Sequence, residues 1–437
     1  MMGRARSTVW AAALGTVVAA VPATAHAEGN APRPLPAYRT ADGARQIEGR
    51  PSTADAPLIE AGNTYADTIG PGDRLYRLVL DQDGSNAYVS AVVRPPAGAK
   101  VTGSDGIEVE LMTTAGRSCP ASTGRSTFGY DPVPLAAAGV RWGAEDADCA
   151  PAGVYYAKVI RTSAKDSDQS PWPLELTVQR EPGRGTGAPT TAPSGRPTGA
   201  PSLPGTEAVG RAGGTGFNDA RALGAGVWRD ELRPGQTRWY RVPLDWGQQL
   251  GLGAELSAAR VTRKYSSASG GLAVTLYNPY RAQVADRNTS YDGVQAGVTL
   301  GRTPPVDYAN RFSGDTGVRP VSVAGWYYVA VTMGGKVADF TEDAVPVPLT
   351  LRLEVTGAAA GAPAYKEDPA AVGFAVGAED RTAAREGLTA PEAAEAAGTR
   401  SLMRVVASAG FGTGAMLLAV LGGWVVLGRR GRGTTTG

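Results

Sequence analysis

YADTIGPGDRLYRLVLD, from Tyr65 to Asp81, is written a second time as WRDELRPGQTRWYRVPLD, from Trp228 to Asp245. Asp67, Pro71-Gly72, Tyr76-Arg77 and Asp81 of the first copy correspond to Asp230, Pro234-Gly235, Tyr240-Arg241 and Asp245 of the second, at an offset of 163 to 164. The correspondence continues outward. Val109-Glu110-Leu111 matches Val274-Thr275-Leu276, and Gly153-Val154-Tyr155-Tyr156 matches Gly325-Trp326-Tyr327-Tyr328. Each copy closes on an alternating run, Leu174-Glu175-Leu176-Thr177-Val178 and Leu349-Thr350-Leu351-Arg352-Leu353-Glu354-Val355. Matches kept in order over so long a stretch describe two homologous domains, 47–181 and 208–357.

Within each copy, short runs of Val, Leu and Tyr alternate with polar residues and are punctuated by Gly, Pro, Asn and Asp. Period-2 alternation places one face of a strand in a core and the other toward water. No amphipathic helix interrupts the runs. At this length a domain can bury a core between two sheets. The expected fold is all-β: two tandem antiparallel β-sandwich, jelly-roll-like domains.

Alternation also assigns faces. Lys158 shares parity with Tyr156, so Tyr155, Ala157 and Val159 point inward. By the same rule Tyr327, Val329 and Val331 fill the second core, as do Tyr240, Val242 and Leu244. Trp239, Arg241, Trp326 and Tyr328 are left on an outer face, where they are either covered by loops or the opposite domain or form a candidate surface for a sugar ring or a protein partner. Asp81-Gln82-Asp83-Gly84 reads as a polar hairpin turn rather than a calcium loop, because the twelve-residue ligand pattern is missing and Asp245-Trp246-Gly247 replaces it in the second copy. No G-x-S-x-G, S-x-x-K or phosphate-cradling glycine loop occurs. No catalytic residue, metal site or cofactor is expected.

The order Asp, Pro-Gly, Tyr-Arg, then Val-x-Leu, then Gly-x-Tyr-Tyr, then an alternating last strand resembles the bacterial pre-peptidase C-terminal (PPC) domain family. That resemblance covers each repeat but not the linkers. It implies small β-sandwiches of the kind appended to secreted enzymes, with roles in surface or substrate binding and in secretion. Here no peptidase precedes the copies. The layout resembles actinobacterial membrane-anchored surface proteins, and the Ala, Gly, Pro and Arg usage suits a GC-rich genome.

Residues 182–207 are rich in Pro, Gly and Thr and read as a linker, residues 358–404 as an Ala/Gly-rich stalk with a short helix over Pro391–Ala397, and residues 28–46 as disordered. Arg4 and Arg6, the apolar run Val9–Val21 and Ala25-His26-Ala27 form a signal peptide, 1–27. Val405–Leu427 is 23 residues without a charge. As a helix it would reach about 34 Å, enough for a hydrocarbon core of about 30 Å. Arg429, Arg430 and Arg432 follow it, which places the tail 428–437 inside and the bulk outside in a single-pass type I arrangement. Gly410-x-x-x-Gly414 would permit a homodimer through that helix.

His26 is the only histidine and leaves with the signal peptide. Imidazole catalysis and His-based metal sites are thereby excluded from the mature chain. Without Arg4 and Arg6 of the signal peptide and the four arginines flanking Val405–Leu427, 37 basic and 41 acidic residues remain, a balance with no overall pull toward nucleic acid. Cys119 and Cys149 are expected to pair in an oxidising compartment. The sequence therefore points to a non-catalytic extracellular scaffold in the cell membrane, offering two β-sandwiches to a protein or cell-wall glycan partner. The alternative is a histidine-free hydrolase using carboxylates on cell-wall glycans.

Overall fold

A computed structural model of the chain describes residues 34–400, apart from 82, 97, 120–123, 130, 144–146, 194–198 and 343–344. Beyond them it describes residues 403, 416, 418–422 and 424. The expected signal peptide and cytoplasmic tail lie outside the described residues, as does most of Val405–Leu427 and its Gly410/Gly414 pair. The seven described residues of that segment are helical. Among the described residues no helix is long and apolar enough to cross a membrane.

Ten strands build the first lobe: β1 (Arg45–Gln46), β2 (Leu58–Ile59), β3 (Thr64–Ile69), β4 (Gly72–Leu80), β5 (Asn86–Val93), β6 (Gly106–Thr113), β7 (Gly124–Thr127), β8 (Leu135–Trp142), β9 (Gly153–Thr162) and β10 (Trp172–Glu181). They form two five-stranded sheets, ordered β1-β3-β10-β5-β8 and β2-β4-β9-β6-β7. The second lobe repeats this with β11 (Val209–Gly210), β12 (Arg221–Ala222), β13 (Gly226–Leu232), β14 (Thr237–Leu244), β15 (Gln249–Leu256), β16 (Ala268–Tyr277), β17 (Gln283–Tyr291), β18 (Ala296–Leu300), β19 (Gly325–Met333) and β20 (Val347–Thr356). Its sheets are ordered β11-β13-β20-β15-β18 and β12-β14-β19-β16-β17, the same permutation strand for strand. The eight longer strands of each lobe follow the jelly-roll order, antiparallel throughout, with short parallel pairings only at β1–β3, β2–β4 and their counterparts. Between the sheets of each lobe lies the core that the alternation predicts, with Tyr155, Ala157 and Val159 in one and Tyr327, Val329 and Val331 in the other all buried.

The duplicated motif has a packing reason. The Tyr76 hydroxyl donates to Asp67 Oδ2 at 2.7 Å, and the Gly49 amide donates to the same oxygen at 2.7 Å. In the second lobe Tyr240 and Gly213 donate to Asp230 Oδ2 at 2.6 and 2.7 Å. A buried tyrosine cannot leave its hydroxyl unpaired without cost, so the carboxylate is required wherever the tyrosine fills the core. Glycine is required as well, because a Cβ on Gly49 or Gly213 would come within 2.5 or 2.8 Å of the tyrosine ring.

Among the described residues, parts of the N-terminal segment, the linker and the stalk pack against the lobes. Tyr38 packs against Phe217 and Trp239, and Arg45–Gln46 pair with β3. Of the linker, residues 201–204 run over β15 and β20, with the Ser202 amide donating to Glu354 and Arg352 donating to the Pro204 carbonyl. Arg184 bridges to Tyr365, so linker and stalk pair with each other. The stalk is a strap laid across both lobes. Phe374 is fully buried in it, α1 (Ala378–Glu386) packs on β12 and β14, and residues 390–400 form a further helix, longer than the expected Pro391–Ala397. Thr389 and Glu392 form a capping box there, which fixes where the second helix starts. Apart from the helix at Pro391–Ala397, low apolar content gives no sign of this, because a few aromatic anchors and backbone pairings suffice to order such a segment.

Candidate functional site

The outer-face set Trp239, Arg241, Trp326 and Tyr328 lies together on the β14–β19 ladder, where Trp239 pairs with Ala330, Arg241 with Tyr328 and Pro243 with Trp326. The set is not presented to solvent. Trp239 is fully buried beneath the first lobe, with Phe217 at 4.4 Å and Tyr277 at 5.8 Å between ring centroids. Its indole Nε1 finds no acceptor among the described residues. Tyr328 is half-buried beside Phe217. At the other end Arg241 sits 4.0 Å from the Trp326 ring centroid and donates to the Leu388 carbonyl. Trp326 Nε1 donates to Asp380 of α1 at 2.9 Å. Of the two readings of this face, the structure shows the covered one: one half lies beneath the first lobe and the other beneath the strap. A large aromatic face loses water-exposed area when any surface covers it, and the chain supplies that cover itself.

What covers it is set by two carboxylates on the face of β10 opposite Leu174, Leu176 and Val178. Glu175 and Glu181 are both fully buried. Arg281 Nη1 donates to Glu175 at 2.6 Å, joined by Asn218, the Tyr38 hydroxyl and the Ala41 amide. Arg311 grips Glu181 with two nitrogens, at 2.9 and 3.1 Å, joined by Asn86, Tyr88 and Tyr365. Burial, the largest single influence on each carboxyl, pushes its pKa up; for Glu175 Arg281 and Asn218, and for Glu181 Arg311 and the tyrosine hydroxyls, outweigh it and hold both below the ordinary value. Arg281 adopts a left-handed backbone, φ 63°, unusual for a side chain of this size. Its ion pair and a turn closed by Asn278 offset that strain. Around these pairs Tyr88 stacks on Tyr280 at 4.1 Å and Phe374 of the strap closes the seam. The joint thus gathers the N-terminal segment, both lobes and the strap.

Where the lobes diverge beyond this joint, a solvent-open cleft of about 460 Å³ remains. One wall is β7, with Arg125 and Thr127, and the loop before β8, with Asp131. The other is the outer face of β14, β19, β16 and β17, with Thr237, Thr332, Thr275, Asp286 and Asn288, and Tyr277 at its base. Asp131 accepts from the Gly335 amide at 3.0 Å, so it also ties the walls together. Burial raises its pKa, against the opposing Gly335 amide and Lys336. The sequence carried no signal for this cleft, since its walls meet only after the lobes dock.

Cys119 and Cys149 form the expected disulfide, with Cα atoms 5.8 Å apart. The described residues of Asp81–Gly84 form a turn between β4 and β5, with Asp83 accepting from the Ala152 amide. Among the described residues no cluster of three or more His, Cys, Asp or Glu side chains could hold a metal ion.

No family model matches the chain, and no curated protein matches it. Among solved structures, the pre-peptidase C-terminal domain of a collagenase from Bacillus anthracis aligns at 16% identity and a TM-score of 0.19, over 30% of this chain and 98% of that one. The N-terminal CBM22-1–CBM22-2 tandem domain of Xyn10C from Paenibacillus barcinonensis aligns at 13% identity and a TM-score of 0.19, over 68% of this chain and 92% of that one. Tandem CBM51 modules of a family 98 glycoside hydrolase from Streptococcus pneumoniae align at 9% identity and a TM-score of 0.17, over 65% and 82%. Likenesses at these scores bear no weight; the double sandwich stands on its own strand ladders.

Proposed function

We propose that this chain is a non-catalytic scaffold, anchored in the cell membrane by Val405–Leu427, that holds two β-sandwich lobes as one rigid body for an extracellular protein or cell-wall partner. The observation that carries the rigidity is the joint at Glu175 and Glu181, where four parts of the chain meet two buried carboxylates. A buried charge held by several donors has one arrangement that satisfies it, so the lobes do not swing as beads on a flexible tether would. The strap, as far as residue 400, is part of the same body. The test is protease treatment of intact cells expressing the full chain with a C-terminal tag. Lobes digested while the tag survives, together with an envelope partner crosslinked to the lobes, supports the reading. A digested tag with intact lobes sinks the orientation.

A second reading, a histidine-free hydrolase of cell-wall glycans, draws on one observation. Asp131 and Asp286 line the same cleft, and burial raises the Asp131 pKa in the direction a general acid requires. Glycan fragments released by the full chain and lost in Asp131→Asn would establish it.

A further inference from the structure

We infer that the cleft between the lobes is a binding site for an uncharged saccharide chain. The inference rests on the scaffold reading and adds the ligand to it. The cleft is a built recess rather than a remnant of the fold. The strand register sets Ala330 beside Thr275 on β19 and β16, and the first lobe has Lys158 and Glu110 at the equivalent pair. Two long charged side chains would fill the space that an alanine and a threonine leave open. Ala273 and Thr332 pair in the same way one row further along.

The chemistry of the walls selects the class of ligand. Arg125 and Arg287 are balanced by Asp131 and Asp286, so the recess offers no net charge to a phosphate, a polyanion or a cation. It does offer donors and acceptors on both sides, from the guanidinium groups, the carboxylates, Asn288 and the threonine hydroxyls. A ligand matching this is neutral and carries many hydroxyl groups, each able to donate and accept. Arg125 and Arg287 make no ion pair among the described residues, so their donors stay available. The volume, about 460 Å³, is in the usual range for a small-molecule site and admits a few sugar rings of a longer chain. Because the ion pair at Arg281 holds the walls in place, little ordering is needed on binding.

The test is calorimetric titration of the detergent-solubilised full chain with cellohexaose, maltohexaose and chitohexaose, with polygalacturonate as the charged comparison. One or more neutral hexasaccharides should bind, and Asp286→Ala/Asn288→Ala, on the exposed edge strand, should weaken that binding about tenfold or more. Thr275→Trp, which fills the recess, should abolish it. Tighter binding of polygalacturonate, no binding of any neutral sugar, or binding indifferent to the double variant overturns the inference. In those cases a partner still crosslinked to the lobes on intact cells leaves the scaffold reading standing, and its absence removes both. Cleavage of the bound sugar, lost in Asp131→Asn, keeps the site and replaces the scaffold with an enzyme.

Discussion

The two lobes share one strand permutation and one buried Tyr–Asp–Gly motif, yet they solve the problem of their loose ends differently. In the first lobe the loops after β6 and β8 are joined to each other by Cys119–Cys149. In the second lobe the corresponding loops, after β16 and β18, carry Arg281 and Arg311, which reach across to Glu175 and Glu181. One lobe closes on itself and the other closes on its neighbour. The contrast teaches that a duplicated sandwich keeps its core and spends its loops, so that differences in behaviour between the copies belong to the loops. It also makes the joint asymmetric: the first lobe presents its β10–β5–β8 face, and the second presents its β14–β19–β16 face.

The sharpest way to break this comparison is to remove the cation from the second lobe. Arg311→Ala strands a fully buried Glu181 with only neutral donors, and losing one partner of a buried pair costs about 3–5 kcal/mol. Thermal unfolding, expected as one transition for the intact chain, should split into two as the second lobe detaches. Glu181→Leu/Arg311→Met, which removes both charges, should be milder because nothing is left uncompensated. Acid should mimic the single variant. Glu175 and Glu181 are depressed in the folded state, so their contribution is complete above the unfolded value of 4.5 and is lost as pH falls through the lower folded values. The tyrosines on Glu181 have raised pKa values, first by burial and then by its charge, so their contribution holds below the ordinary 10.0 and is lost only as pH rises through the folded values. Stability of the joint should therefore be level between about pH 5 and pH 9 and fall first in acid. A lobe separation that begins near neutrality would contradict the assignment.

Cutting the first lobe's staple should cost slightly less and act elsewhere. Cys119→Ala/Cys149→Ala releases a closure spanning 30 residues, worth about 3–4 kcal/mol. The loss should appear in the first lobe's denaturant midpoint, with the joint's acid midpoint unchanged. The motif the lobes share supplies the control. Asp67→Ala and Asp230→Ala each leave a buried tyrosine hydroxyl unpaired, at about 1–3 kcal/mol. If the cores are equivalent, the two losses should agree within about 0.5 kcal/mol, the scatter expected of independent sites. A large inequality would place the difference between the lobes in their cores.

Much of this organisation is legible in the residues, and the limits of legibility are physical. Alternation gave both cores, because burial between two sheets has period 2 and the signal is local. Asp67, Tyr76 and their partners were visible as a repeat, though not as a hydrogen bond. Trp239 falls on the correct face, but what covers it stays open, since alternation distinguishes the two sides of a strand and not water from a neighbouring lobe. A glutamate that accepts an arginine from over 100 residues away has no local signature. Tyr38, Tyr365 and Phe374 were hidden for another reason: single anchors in polar, glycine-rich segments carry no period at all. The cleft needed both lobes in place before it existed.

The smallest expected effect tests the covered face itself. Trp326→Phe keeps an aromatic ring over Arg241 and removes only the indole donor to Asp380, a loss of about 0.5–1.5 kcal/mol. Global unfolding should barely move, because the two cores and the joint at Glu181 are untouched. Hydrogen exchange should quicken in α1 and in residues 390–400, since local opening of the strap now costs less than before. Arg381 and Glu392 still hold it through Asp245 and Arg221, pairs that are partly exposed and worth little each. If exchange in those helices is unchanged while the first lobe's β5 and β8 quicken instead, the strap is not what covers this end of the face. The division of the aromatic surface between lobe and strap would then have to be redrawn.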